Sequence, residues 1–124
     1  MGAFTKEFFF SKTKRNEIDA QSFCATQGGT LYEVMDFRVR NDVTNHAKKE
    51  DLGEFWLGIN DKNADGTFVF MSDGSPVSSA FLNWIPNAPN TTPNNEEDCV
   101  DINSAGQLND IPCDVQRSVV CESK

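Results

Sequence analysis

The chain has a single histidine, His46, and its four cysteines stand at 24, 99, 113 and 121 with no tightly spaced pair among them. A zinc site ordinarily needs such a pair or a histidine cluster, so zinc is excluded as the organising metal. Basic residues are also scarce: 11 Lys and Arg stand against 19 Asp and Glu, a formal charge of −8. With no basic stripe to neutralise phosphates, nucleic acid is excluded as a partner. No apolar run is long enough to span a membrane, which excludes membrane insertion. The start, MGAFTKEFFF, has an apolar cluster but neither a long apolar core nor a small-residue cleavage site, so a mature domain is expected. Internal repeats, low-complexity tracts and linkers are absent, and the 124 residues are read as one domain, 1–124. Catalytic signals are missing too. Glycosidases place two carboxylates about 5–9.5 Å apart across a substrate, and the adjacent acids Glu96, Glu97 and Asp98 need not converge in that way. No nucleophile–base arrangement is evident, so no enzyme is expected.

Ten phenylalanines and two tryptophans supply core material. KEFFFSKTK predicts a first strand whose phenylalanines face core on both sides. NEIDAQSFCATQGG predicts a helix with Asn16 as N-cap and Gly28 as its stop, carrying Ile18, Ser22 and Ala25 with Phe23 and Cys24 at helical spacing. DFRVRNDVTNHAKKE predicts a second helix through Val39, Val43 and Ala47, with basic residues near its end. His46 falls on that helix, where a lone exposed histidine is ordinarily inert. FWLGI, TFVFM, CVDI and SVVCE read as short strands separated by the turns DKNADG and DGSP. Helices early and short strands late predict an α+β fold.

One stretch fits no core element. NWIPNAPNTTPNNEEDCVDI holds prolines 86, 89 and 93 among many asparagines, followed by three acids. Proline fixes φ and removes a donor while Asn and Asp favour turns, so an exposed loop is expected. Its amide and carboxylate oxygens could be solvated surface or could wrap a hard cation. The cysteines permit three pairings. A Cys99–Cys113 bond would staple this loop and its sequel, and Cys24–Cys121 would tie the first helix to the last strand. By chain entropy such closures are worth about 3 and about 4.7 kcal/mol. Disulfides of either kind imply an oxidising compartment, hence a secreted, extracellular protein.

Taken in order, the helix with Cys24, FWLGIND, NW, a Pro-Asn element, EEDCV, a glycine, LND, a cysteine and VVCE resemble the C-type lectin domain, including its collectin-like carbohydrate-recognition form. The resemblance runs from about Phe8 to Glu122. It implies two helices, short antiparallel strands, a long calcium-binding loop and the disulfides Cys24–Cys121 and Cys99–Cys113. It also implies Ca2+, bound by six to eight oxygens. By position, Asn90, Glu97, Asn109 and Asp110 match the family's primary site, where sugar hydroxyls complete the calcium shell. Pro89 matches a proline whose preceding bond is usually cis. Asp61 and Asp65, four apart in DKNADG, join Asp98 as a second calcium position that Glu97 could bridge. Two bound calcium ions would halve the formal charge of −8.

Two departures accompany the resemblance. Ala88 stands where the family carries Glu or Gln, so a ligand that would touch both ion and sugar is missing; Asn87 or Glu96 could compensate. Leu108 stands where a tryptophan usually precedes the Asn-Asp pair, a change of packing. The expected function is calcium-dependent binding of carbohydrate, including cell-surface glycans. A mannose or fucose preference is expected over galactose, because Asn90 is retained and no aromatic follows it. The alternative is a lectin-like domain that binds a protein or other surface without sugar. Asn90-Thr91-Thr92 is also a glycosylation sequon, disfavoured by Pro93. No collagenous stalk or coiled-coil neck implies trimers, and an oligomer stays open.

Overall fold

The computed structural model describes residues 7–34, 36–62, 66–89 and 99–123. Its elements are β1 (Phe8–Arg15), α1 (Glu17–Thr26), β2 (Gly29–Leu31), α2 (Phe37–Lys49), β3 (Phe55–Asn60), β4 (Val69–Phe70), a 3₁₀ turn (Ser79–Phe81), β5 (Cys99–Ile102), β6 (Leu108–Ile111) and β7 (Arg117–Ser123). The strands form a sheet in the order β1-β7-β3-β5-β6, with β2 also on β7 and β4 also on β3. The β3–β7 pairing is parallel and the other strand pairings are antiparallel. The expected α+β class is what the chain adopts.

Both helices start where side-chain chemistry lets them. Asn16 Oδ1 accepts the Asp19 N–H at 2.8 Å, and Asp36 Oδ1 accepts those of Arg38 and Val39 at 2.7 and 3.3 Å. Gly28, at φ +77°, turns the chain out of α1, a conformation that costs residues with a Cβ. The two bonds Cys24–Cys121 and Cys99–Cys113 are formed as expected.

The apolar run of β3 has a simple physical reading: a central strand is covered on both faces. Phe55, Leu57 and Ile59 enter one cluster with Val100, Ile102, Leu108 and Val120, capped by Val43 and Ala47 of α2. Trp56 enters the other with Ala20, Cys24, Ile111 and Val119 beneath α1. Its indole N–H donates to the Arg15 carbonyl at 2.7 Å, closing β1 over the core.

Three expectations need correction. Phe9 is 47% exposed and packs only edge-on against Phe23, because β1 is an edge strand with one covered face. The inner face of α1 is Glu17, Ala20 and Cys24, while Ile18 is 66% exposed and Ser22 and Ala25 face solvent. Only Val69–Phe70 of TFVFM forms a strand. His46 packs its ring on Phe10 at 4.3 Å and approaches Glu50 at 3.9 Å, and among the described residues it joins no group of potential metal ligands.

Tyr32 is 1% exposed, and its hydroxyl has no hydrogen-bond partner among the described residues. Burial pushes the phenol well above its usual range, and Glu122 adds to the rise. A buried unsatisfied donor costs about 1–3 kcal/mol. Tyr32→Phe should therefore gain about 1 kcal/mol, raising the melting temperature by about 4 °C. A fall in melting temperature would show that the hydroxyl has an acceptor.

Candidate functional site

One end of the sheet collects the acidic positions. Asn60, the last residue of β3, pairs with Cys99, the first of β5, and Cys99 pairs with Ile111, the last of β6. Asp61 leaves β3 at this end, and Asp110 stands one residue inside β6. Each is only 2% exposed, and the Oδ1 atom of each is sealed from solvent. Asp61 Oδ2 accepts the Gly66 N–H at 2.9 Å, bracing the turn from both sides.

The segment after the 3₁₀ turn is pinned against β6. Leu108 donates its N–H to the Asn83 carbonyl at 2.7 Å, and Ile85 donates to the Leu108 carbonyl at 2.9 Å. Trp84 and Leu108 thus form a parallel bridge beside Asn109 and Asp110. The chain turns at once: Ala88 donates to the Ile85 carbonyl at 3.1 Å, Asn87 takes φ +71°, and the Ala88–Pro89 bond is cis, as the resemblance implied. Ala88 therefore occupies the position directly before the cis bond, and its methyl offers no oxygen. Leu108, fully buried, fills the core beneath, while Trp84 packs at a tilt against Phe68, 4.9 Å between centroids.

Asn109 and Asp110 are successive residues of the short strand β6. Asn109 borders a polar recess of about 90 Å³ with Glu54, Asp101, Gln107 and Arg117. Asp101 is paired across β5 and β6 with Asn109 and is held by Arg117 Nε at 2.8 Å. Burial raises the Asp101 carboxyl above the usual range, and Arg117 pulls it back down. Sequence reading missed this pair, whose two members are 16 residues apart and lie on β5 and β7, the strands that flank β3. It also missed buried Glu33, which accepts both the N–H and the hydroxyl of Ser72 at 2.9 and 2.8 Å. Burial raises this carboxyl too, against the lowering by Ser72.

Of the residues expected to hold calcium, Asp61, Asn109 and Asp110 lie in the described structure. Asp65, Asn90, Glu97 and Asp98 lie outside the described residues, as do Glu96 and the rest of the sequon. The described donors fit a calcium ion: hard carboxylate and amide oxygens, two of them withdrawn from water, with no sulfur or imidazole among them. Among the described residues one group of three potential metal ligands gathers, Glu17, Cys99 and Cys113, but the two sulfurs are bonded to each other. Glu17 in turn is paired with Lys62.

Comparison with known proteins agrees with this geometry. The family described as "Lectin C-type domain" matches residues 13–123. Collectin-11 of Bos taurus is 32% identical over 117 residues, 94% of this chain and 43% of that protein. The low affinity immunoglobulin epsilon Fc receptor of Mus musculus is 35% identical over 108 residues, 87% of this chain and 30% of the receptor. The chain thus spans less than half the length of these relatives. The carbohydrate-recognition domain of the mouse scavenger receptor C-type lectin superposes with a TM-score of 0.84 at 28% identity, covering 99% of this chain and 94% of that one. The family is a non-enzymatic recognition fold. With the two disulfides, the β3–β5–β6 arrangement and the cis Ala88–Pro89 bond in place, this chain belongs to the C-type lectin domain family.

Proposed function

We propose that the domain binds carbohydrate in a calcium-dependent manner, with a mannose or fucose preference over galactose, as a secreted, extracellular module. The observations that support this reading are the buried acids Asp61 and Asp110 toward one end of the sheet and the cis Ala88–Pro89 turn that follows the Trp84–Leu108 bridge to β6, the strand that carries Asn109. Asn90, Glu97, Asn109 and Asp110 would hold the primary calcium ion, and Asp61, Asp65, Glu97 and Asp98 a second. Bound there, calcium supplies open coordination positions for vicinal sugar hydroxyls. The side chains around it orient the sugar by donating to and accepting from the same hydroxyls. Two disulfides support an oxidising, extracellular setting. The glycan partners would be those displayed on cell surfaces, and weak single sites favour presentation in multiple copies.

Ala88 supports a second reading, in which the lectin fold recognises a protein or other surface. The relative that is a receptor for immunoglobulin epsilon Fc points the same way. Ala88→Glu separates the two. Restoring a carboxylate adds a charge-assisted hydrogen bond worth about 1.5–3 kcal/mol, tenfold or more in affinity. On the sugar reading, the parent is retained on immobilised mannose in calcium, Ala88→Glu is retained at least tenfold more strongly, and Asn109→Ala is not retained. If neither parent nor Ala88→Glu binds any sugar while both take up calcium, the sugar reading fails in favour of surface recognition.

A further inference from the structure

We propose that Glu17 and Lys62 are positioning residues that set the calcium affinity of the loop after β3, although neither is a ligand; the inference rests on the calcium reading above. Glu17 is fully buried in the first turn of α1, where a lone carboxylate would be costly. Its compensation comes from Lys62 Nζ at 3.1 Å and Gln21 Nε2 at 2.7 Å on the same oxygen, Oε1. Its other oxygen lies 2.9 Å from Cys99 Sγ, a close contact without a proton because that sulfur is in the disulfide. The Glu17 backbone N–H donates to the Cys113 carbonyl at 3.0 Å. One residue therefore touches both halves of the Cys99–Cys113 bridge and, through Lys62, the turn that begins at Asp61.

These contacts meet where the candidate ligands enter the site. Lys62 directly follows Asp61, its N–H donates to Asn60 Oδ1 at 3.2 Å, and Asp61 reaches across to Gly66. Cys99 opposes Asn60, so it fixes the point at which the acidic loop joins β5. A calcium shell needs oxygens from several chain segments at once, and ordering them costs binding free energy unless they are held beforehand. The Lys62 ammonium, anchored on a buried carboxylate rather than left in solvent, holds the start of the turn in place. It is also directed to Glu17, which spends its charge away from the oxygens a cation would use. Residues that orient metal ligands from outside the shell change metal affinity by about 10–100-fold. Lys62 acts through backbone, so the lower figure applies.

Calcium titration calorimetry on the whole chain, with chelated thermal melts alongside, tests this. Glu17→Gln/Lys62→Met removes both charges and leaves no buried lone carboxylate. Its calcium Kd should rise about tenfold, while Lys62→Arg, which keeps the pair, should bind as the parent does. Lys62→Gln should fall between the two, and its calcium Kd decides the matter if the double variant does not fold. A brace of purely structural value would lower the chelated melting temperature and leave the Kd unchanged; that outcome overturns the inference. Should the parent itself take up no calcium, the calcium reading fails, and this inference with it.

Discussion

Replacing both Cys24 and Cys121 by alanine should cost the domain about 4.7 kcal/mol, the loop-closure value for a bridge spanning nearly the whole chain. The separation is 97 residues, and both sulfurs sit in the cluster beneath α1. Domains of this kind hold about 5–15 kcal/mol in all, so the variant should be largely unfolded at 37 °C. The companion change, Cys99→Ala/Cys113→Ala, closes a span of 14 residues and should cost about 3 kcal/mol. Its sharper effect should be on calcium, because Cys99 opens β5 opposite Asn60 and touches Glu17. Urea unfolding of both double variants in chelator ranks the two costs. A loss below about 1 kcal/mol for the Cys24/Cys121 variant would contradict the account, since it would mean that α1 docks on β7 without its covalent tie.

Calcium should raise the melting temperature by about 10 °C at a hundredfold excess over its Kd. Binding to the folded state alone adds about 2.7 kcal/mol, and a chain of this size unfolds with an entropy that converts this to about that interval. The ligand carboxylates must be ionised, so the increment fades as pH falls toward their titration. Glu33 and Asp101 run the opposite way. Burial raises both above their unfolded values, so the stability tied to their protonation is full below the unfolded pKa and is lost as pH rises through the folded one. Acidifying toward that range brings the gain from these two groups to both forms, while only the calcium-loaded protein loses its increment. The two melting curves should therefore converge as pH falls. Asp61→Asn should shrink the calcium increment, and melting that is identical in calcium and chelator at pH 7 would rule out an occupied site.

Much of this was legible in the sequence because its signals are local. Asn16 and Asp36 announce helix starts through side chains that bond two or three residues ahead. FWLGI announces a strand buried on both faces. The ordered motifs carried the pairing of four cysteines and the cis bond before Pro89, which no spacing rule supplies. What stayed illegible depends on contacts far apart in the chain. Ile18 looked like a core residue, yet α1 turns Glu17 inward instead, because Lys62, 45 positions away, comes to meet its carboxylate. Phe9 reads as core until β1 is known to be an edge. β2, three residues long, exists only because β7 offers it a ladder. At the candidate site, Asp61, Asn109 and Asp110 were named from motif position, whereas the Asp101–Arg117 pair behind Asn109 emerged only from strand register.

The most direct test is calorimetric titration of methyl α-mannoside into the parent protein, once in calcium and once after chelation. The account predicts binding in the millimolar range with calcium, about 4 kcal/mol, and no heat of binding without it. Equal heats in the two buffers, or none in calcium with the ion demonstrably bound, would contradict it.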